Sequence, residues 1–293
     1  MIPAIPMLVF LVVITAIVIA MVSRFREHEL RLEALQDPSR VKRRMVRWGL
    51  GLIGVILAVA AALSLGQRAI FLVAPLAISG YVAGLMLGEL MMPSRQFGPV
   101  RTGSLHRRSF ARYLKSKWLW AWRGGASTAA IALVAAGLAG GADGRSLTLA
   151  CVDDTLSSAS PWPGWSYGGP ALAALLLGAL LVELSMRRIV ERPRPDPTLL
   201  GVDADEANRA ASLKRVVAAG MAIAMVPLAG VCLSAAMIYS FICSPSGTLA
   251  WTGPLAAALA ILGLAAGIGA IAGLAALIRI AETGGAAPPA KQA

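Results

Sequence analysis

Two histidines, three cysteines and fifteen acidic residues are all that 293 positions hold of the side chains that most often do chemistry. Zinc-type sites need clusters of imidazole and thiolate, and three cysteines with two histidines are too few to assemble one. His28 and His106 both lie outside the apolar runs, which excludes a haem held by two intramembrane histidines. No histidine follows Ser127, so the Gly125-Ala126-Ser127 stretch has no base with which to form a serine protease dyad. The last apolar run has no lysine for a retinal Schiff base. The H-E-x-x-H, P-loop and dinucleotide fingerprints are missing, so an ATP-driven activity would need a separate subunit. The expectation is a non-enzymatic protein without a cofactor.

Charge is scarce as well, at 14% of residues, while 57% are hydrophobic and the mean hydropathy is +0.72. A water-soluble core does not need that much apolar residue, whereas a bilayer does. A helix rises about 1.5 Å per residue, so about 20 apolar residues cross the hydrocarbon. Runs of that size lie near residues 2–22, 48–65, 70–92, 118–138, 170–186, 216–241 and 254–280. The fifth is the shortest and could begin nearer Trp165. The runs are continuous, not alternating, so they read as helices and not strands. The expected fold is an all-α, polytopic membrane bundle of about seven transmembrane helices forming one domain, residues 1–281. A disordered cytoplasmic tail follows at 282–293.

The basic residues sort themselves. Twenty-five of the 27 Lys and Arg fall in alternate loops or at their edges, and only Arg68 and Arg145 lie on the other side. The positive-inside rule then puts the N-terminus outside and the C-terminus in the cytoplasm. The first run has its arginines after it, from Arg24, the reverse of a signal peptide, and reads as an uncleaved anchor. In the loop after the fifth run, Asp203 or Asp205 could cap a helix leading into the sixth. The net charge of +12 lies between apolar runs, which favours anionic lipid headgroups over nucleic acid.

The chain also repeats itself. Gly84 to Met92 and Gly178 to Met186 both read G-x-x-x-x-E-L-x-M, and both run into arginines. Cys151 precedes Thr155-Leu156, tryptophans and Pro170; Cys243 precedes Thr248-Leu249, Trp251 and Pro254. Both echoes relate elements of one direction, which makes the duplication parallel, as in some transporters. The G-x-x-x-x-E-L-x-M segments running into Arg-rich loops, with Ala/Gly-rich runs, resemble uncharacterised multipass membrane proteins common in actinobacteria. That resemblance implies a bacterial plasma-membrane location and no particular activity.

Within this frame a few residues stand out. Glu89 and Glu183 are the two carboxylates inside apolar runs, each within about a turn of the cytoplasmic interface, where Arg95 and Arg187 or Arg188 could neutralise them. Cys151 and Cys243 fall on the outer side, where disulfides persist, and form a candidate bridge; Cys232 reads as packing. Arg95, Arg101, Arg107, Arg108, Arg112, Lys115 and Lys117 make the Pro93–Lys117 loop a candidate contact for anionic lipid. Asp153, Asp154, Trp162, Trp165 and Tyr167 could contact a ligand, or the aromatic rings could form an interfacial belt. Gly80, Gly84 and Gly88, and the pairs Gly263/Gly267 and Gly269/Gly273, are spaced for close helix packing. The functional expectation is a membrane subunit or scaffold acting through protein partners. A transporter or permease-like component with two related halves is the alternative.

Overall fold

The computed structural model describes residues 49–57, 59, 60, 64, 71–90, 110–192, 202–243 and 249–283. All belong to one compact unit, Arg47–Ala293. Residues 49–57 are helical. They are followed by α1 (Val73–Leu90), a short α2 (Phe110–Tyr113), α3 (Ser116–Ala139), strands β1 (Leu147–Ala150) and β2 (Leu156–Ala159), α4 (Trp165–Glu191), α5 (Val202–Phe241) and α6 (Thr252–Thr283). The expected first run, 2–22, lies outside the described residues.

The architecture is mostly helical. Three helices are long and apolar enough to cross a membrane: Trp165–Glu191, Glu206–Phe241 and Thr252–Leu277. The expected run at 118–138 is helical but not among them, because Trp118, Trp120, Arg123 and two glycines occupy its first half. Val73–Leu87 is apolar but shorter. The run at 170–186 starts, as a helix, at Trp165, with Pro170 inside its first turns.

Helix α5 is the hub, packing against α1, α2, α3, α4 and α6. Its 40 residues begin at Val202, well before the expected 216. Positions 203 and 205 are therefore inside the helix and do not precede it as caps. The extension is amphipathic, and hydropathy alone does not see it: Arg209, Leu213, Val216 and Val217 are buried along one side, while Ala207 and Asn208 are not. At the other terminus α6 runs to Thr283, past the expected tail boundary at 282; residues 284–293 lie outside the described residues.

Glycines set two of the helix crossings. A methyl group on Gly80 would stand 2.6 Å from the Gly54 Cα and 3.0 Å from the Leu50 carbonyl oxygen, so the segment 49–57 and α1 touch backbone to backbone. Gly84 is buried on the same helix. On α6 the packing face differs from the expected pairs. Gly263, Ala266, Ala270 and Gly273 are buried, and Gly263 and Gly273 abut Leu233 and Ala218 of α5, whereas Gly267 faces open space. The i, i+3, i+7 spacing of a helix seam, not the i, i+4 pairs alone, decides which small residues meet the neighbour.

The two strands are absent from the all-α expectation. They form an antiparallel hairpin with Leu147 opposite Ala159 and Ala150 opposite Leu156. Four-residue strands in a polar loop carry too little alternation to stand out in a sequence. Their turn is better marked. Asp154 donates its N–H to the Cys151 carbonyl and sits at φ 57°, a left-handed conformation that Asp tolerates. Asp153 accepts from the Thr155 hydroxyl at 2.6 Å.

Candidate functional site

Two clusters close the bundle at opposite ends. One is a covalently tied cap. Cys151, at the end of β1, and Cys243, just past α5, form a disulfide with Cα atoms 5.6 Å apart and a sequence separation of 92. The Ser157 hydroxyl donates to the Ile242 carbonyl oxygen beside it, a second tie between hairpin and helix. Trp162 is 2% exposed, donates its indole N–H to the Ala136 carbonyl at 2.7 Å, and meets Tyr239 edge to face at 5.7 Å. That carbonyl is in the last turn of α3, where no helical N–H remains to satisfy it. Tyr239 in turn meets Trp251 at 5.8 Å. Trp165 lies over Gly137, where any Cβ would stand 2.7 Å from the indole ring.

These rings hold the cap together. Trp162 and Tyr167 are buried within the cap, whereas Trp165 and Trp251 are exposed. Asp153 and Asp154 belong to the hairpin turn. Asp143 accepts from the backbone N–H groups of Arg145 (2.9 Å) and Ser146 (3.1 Å) and from the Ser146 hydroxyl. Gly144 follows at φ 63°, and its carbonyl accepts from the Ser166 N–H.

Both loop carboxylates are held below their ordinary pKa. The Arg145 N–H leads for Asp143, and the Thr155 hydroxyl leads for Asp153. A carboxylate with a depressed folded pKa stabilises the fold above its unfolded pKa and ceases to do so as pH falls through the folded value. The 140–164 loop should therefore loosen below about pH 4. Hydrogen exchange at Arg145, Ser146 and Thr155, corrected for intrinsic rates, should show protection lost in acid. Protection unchanged down to pH 2.5 would contradict the assignment.

The opposite end carries a charged clasp. Glu183, near the end of α4, receives two parallel hydrogen bonds from Arg123 on α3, Nε to Oε1 and Nη2 to Oε2, both 2.9 Å. The Trp122 indole N–H adds a longer contact at 3.4 Å. Trp122 is itself buried in a notch on α5, where a Cβ on Gly220 would meet its ring at 2.8 Å. The expected neutralisation of Glu183 by Arg187 or Arg188 is thus replaced by a pair across two antiparallel helices. A guanidinium fork on the facing helix matches the carboxylate with two parallel hydrogen bonds.

The clasp predicts a modest effect. The Arg123 side chain is half exposed and that of Glu183 is 28% exposed, so solvent screens much of the attraction. Glu183→Gln should cost about 1 kcal/mol and lower the melting temperature by a few degrees without abolishing folding. Arg123→Lys should lose most of the same increment, because an ammonium cannot form the two-pronged contact. Variants as stable as the parent, measured by thermal unfolding in detergent, would contradict the clasp.

Arg209 is a third feature of this end, absent from the sequence reading. It is 2% exposed and its Nη1 donates to the carbonyls of Ile189, Val190 and Arg192. Those of Ile189 and Val190 are terminal carbonyls of α4 that have no helical N–H, that of Arg192 belongs to its C-cap, and a cation there also complements the helix dipole. In the sequence Arg209 is one more basic loop residue; its place in the amphipathic extension of α5 is the signal that could have singled it out.

Of the remaining candidate residues, Lys115 and Lys117 are exposed at the start of α3. Glu89 and Arg112 belong to α1 and α2, with their side chains outside the described residues, and Arg95, Arg101, Arg107 and Arg108 lie wholly outside them. Cys232 is buried and free. Comparison with protein-family models, curated proteins and solved structures finds no match.

Proposed function

We propose that the chain is a multipass protein of a bacterial plasma membrane that works as a non-enzymatic subunit or scaffold, through protein partners. The observation that carries this reading is the position of α6. Its membrane-length window is only 22% buried, and among the described helices it packs substantially on α5 alone. Ile261, Leu264, Ile268 and Ile271 line its opposite side, 60–69% exposed. A 26-residue apolar segment held by one neighbour offers its remaining surface to lipid or to another helix.

The same reading has seven spans, the cap outside, the clasp inside, and the Pro93–Lys117 loop against anionic headgroups. Its test is site-specific photocrosslinking in the membrane. A photoreactive residue at Ile268 should yield one discrete protein adduct, and one at Ala266, buried against α5, should yield none. Lipid adducts alone at Ile268 would contradict a partner on this face.

A permease-like component with two related halves is favoured by a different observation. The two helices that carry G-x-x-x-x-E-L-x-M, α1 and α4, pack against each other. Recovery of a stoichiometric ATPase with the protein in mild detergent would favour this second reading.

A further inference from the structure

At the cap end, α5 and α6 bound an open cleft of about 670 Å³. One wall is bulky, with Leu233, Met237 and Phe241 of α5. The other is made of small residues of α6, including Ala256, Ala257 and Ala260. Tyr239, Ser240 and Thr252 are the polar members of the lining, and all three lie toward the cap. The Ser240 hydroxyl is taken up by the Ala236 carbonyl and that of Thr252 by the Leu249 carbonyl, so neither calls for a polar ligand deep in the cleft.

We propose that this cleft holds one hydrocarbon chain of a membrane phospholipid, with the headgroup at the level of Tyr239 and Trp251. The inference rests on the reading that α5 and α6 cross a bilayer. Two features select this occupant. The cleft spans Leu233–Phe241 on one helix and Thr252–Ala260 on the other. Nine helical residues rise about 13 Å, close to one leaflet's half of a hydrocarbon core about 30 Å thick. A partner helix crossing the membrane would need a groove along both leaflets, and this one stops half-way. The lining is mostly apolar with polar groups at one end, as an amphiphile requires.

The full chain, reconstituted in vesicles of phosphatidylglycerol and phosphatidylethanolamine and extracted in mild detergent, should carry one phospholipid in native mass spectrometry. Ala257→Trp, which fills the cleft, should reduce the retained lipid at least fivefold, and Ala260→Trp should do the same. Leu176→Trp, on the exposed surface of α4 and away from the cleft, should retain it like the parent. Migration of the Cys151–Cys243-linked form on a non-reducing gel checks that each variant is folded. Equal retention by the parent and both cleft variants would overturn the proposal. So would equal loss with Leu176→Trp, or a parent dimer that Ala257→Trp dissociates, which would make a second copy the occupant. Alkaline carbonate extraction of the same membranes separates the two levels. Release of the chain defeats the membrane reading itself, whereas an integrated but lipid-free parent defeats only the cleft.

Discussion

Replacing Cys151 and Cys243 together by serine should lower stability by about 4 kcal/mol, the largest loss expected from any two atoms in the molecule. The bridge closes a loop of 92 residues that includes all of α4 and α5. In the chain-entropy account, closing so long a loop removes much of the unfolded chain's freedom. Both cysteines are buried and the hairpin has only two strands, which are marginal alone, so the cap has little else to fall back on. The melting temperature in detergent should fall by about 10 °C, and the loop should become sensitive to protease. A doubly substituted chain that melts with the parent would show that the ring stack of Trp162, Tyr239 and Trp251 holds the cap unaided.

Gly80→Val should be nearly as damaging, at about 3 kcal/mol. The nearest atoms to a new Cβ there are the Gly54 Cα and the Leu50 carbonyl oxygen, both backbone, so no rotamer change can make room. The helices must separate and lose their contacts along the crossing. Gly267→Ala is the matched control. Nothing lies within 4 Å of its Cβ position, and the higher helix propensity of alanine should leave stability unchanged or raised by up to about 1 kcal/mol. Thermal unfolding of the two variants side by side checks the contrast. Equal effects would mean that the close crossing is not maintained.

The contrast also shows what was legible. Apolar runs located α4, α5 and α6 because continuous hydropathy is a property of a segment by itself. The matched positions of Cys151 and Cys243 singled out the pair that the structure joins. Glycine spacing pointed to Gly80, but it could not tell Gly267, which faces outward, from Gly273, which packs on Ala218, since both sit in an Ala/Gly-rich helix. The partner of Glu183 was hidden because it depends on the register between two antiparallel helices, and no local pattern encodes that register. Arg209 was hidden for a related reason. Its three carbonyl acceptors belong to the end of the preceding helix, and in the sequence it resembles every other loop arginine. The hairpin was missed because its strands are short and their stabilisation comes from the disulfide and the Ser157 contact, not from alternation.

The central claim is that the cap and the clasp face opposite sides of a membrane. Asp154→Cys in the hairpin turn and Lys117→Cys at the start of α3 place exposed thiols at the two ends, while the native cysteines are either bridged or buried. A membrane-impermeant maleimide added to intact bacteria should label the Asp154→Cys variant at once, and the Lys117→Cys variant only after lysis. Equal labelling of both in intact cells, or the reverse order, would contradict the account.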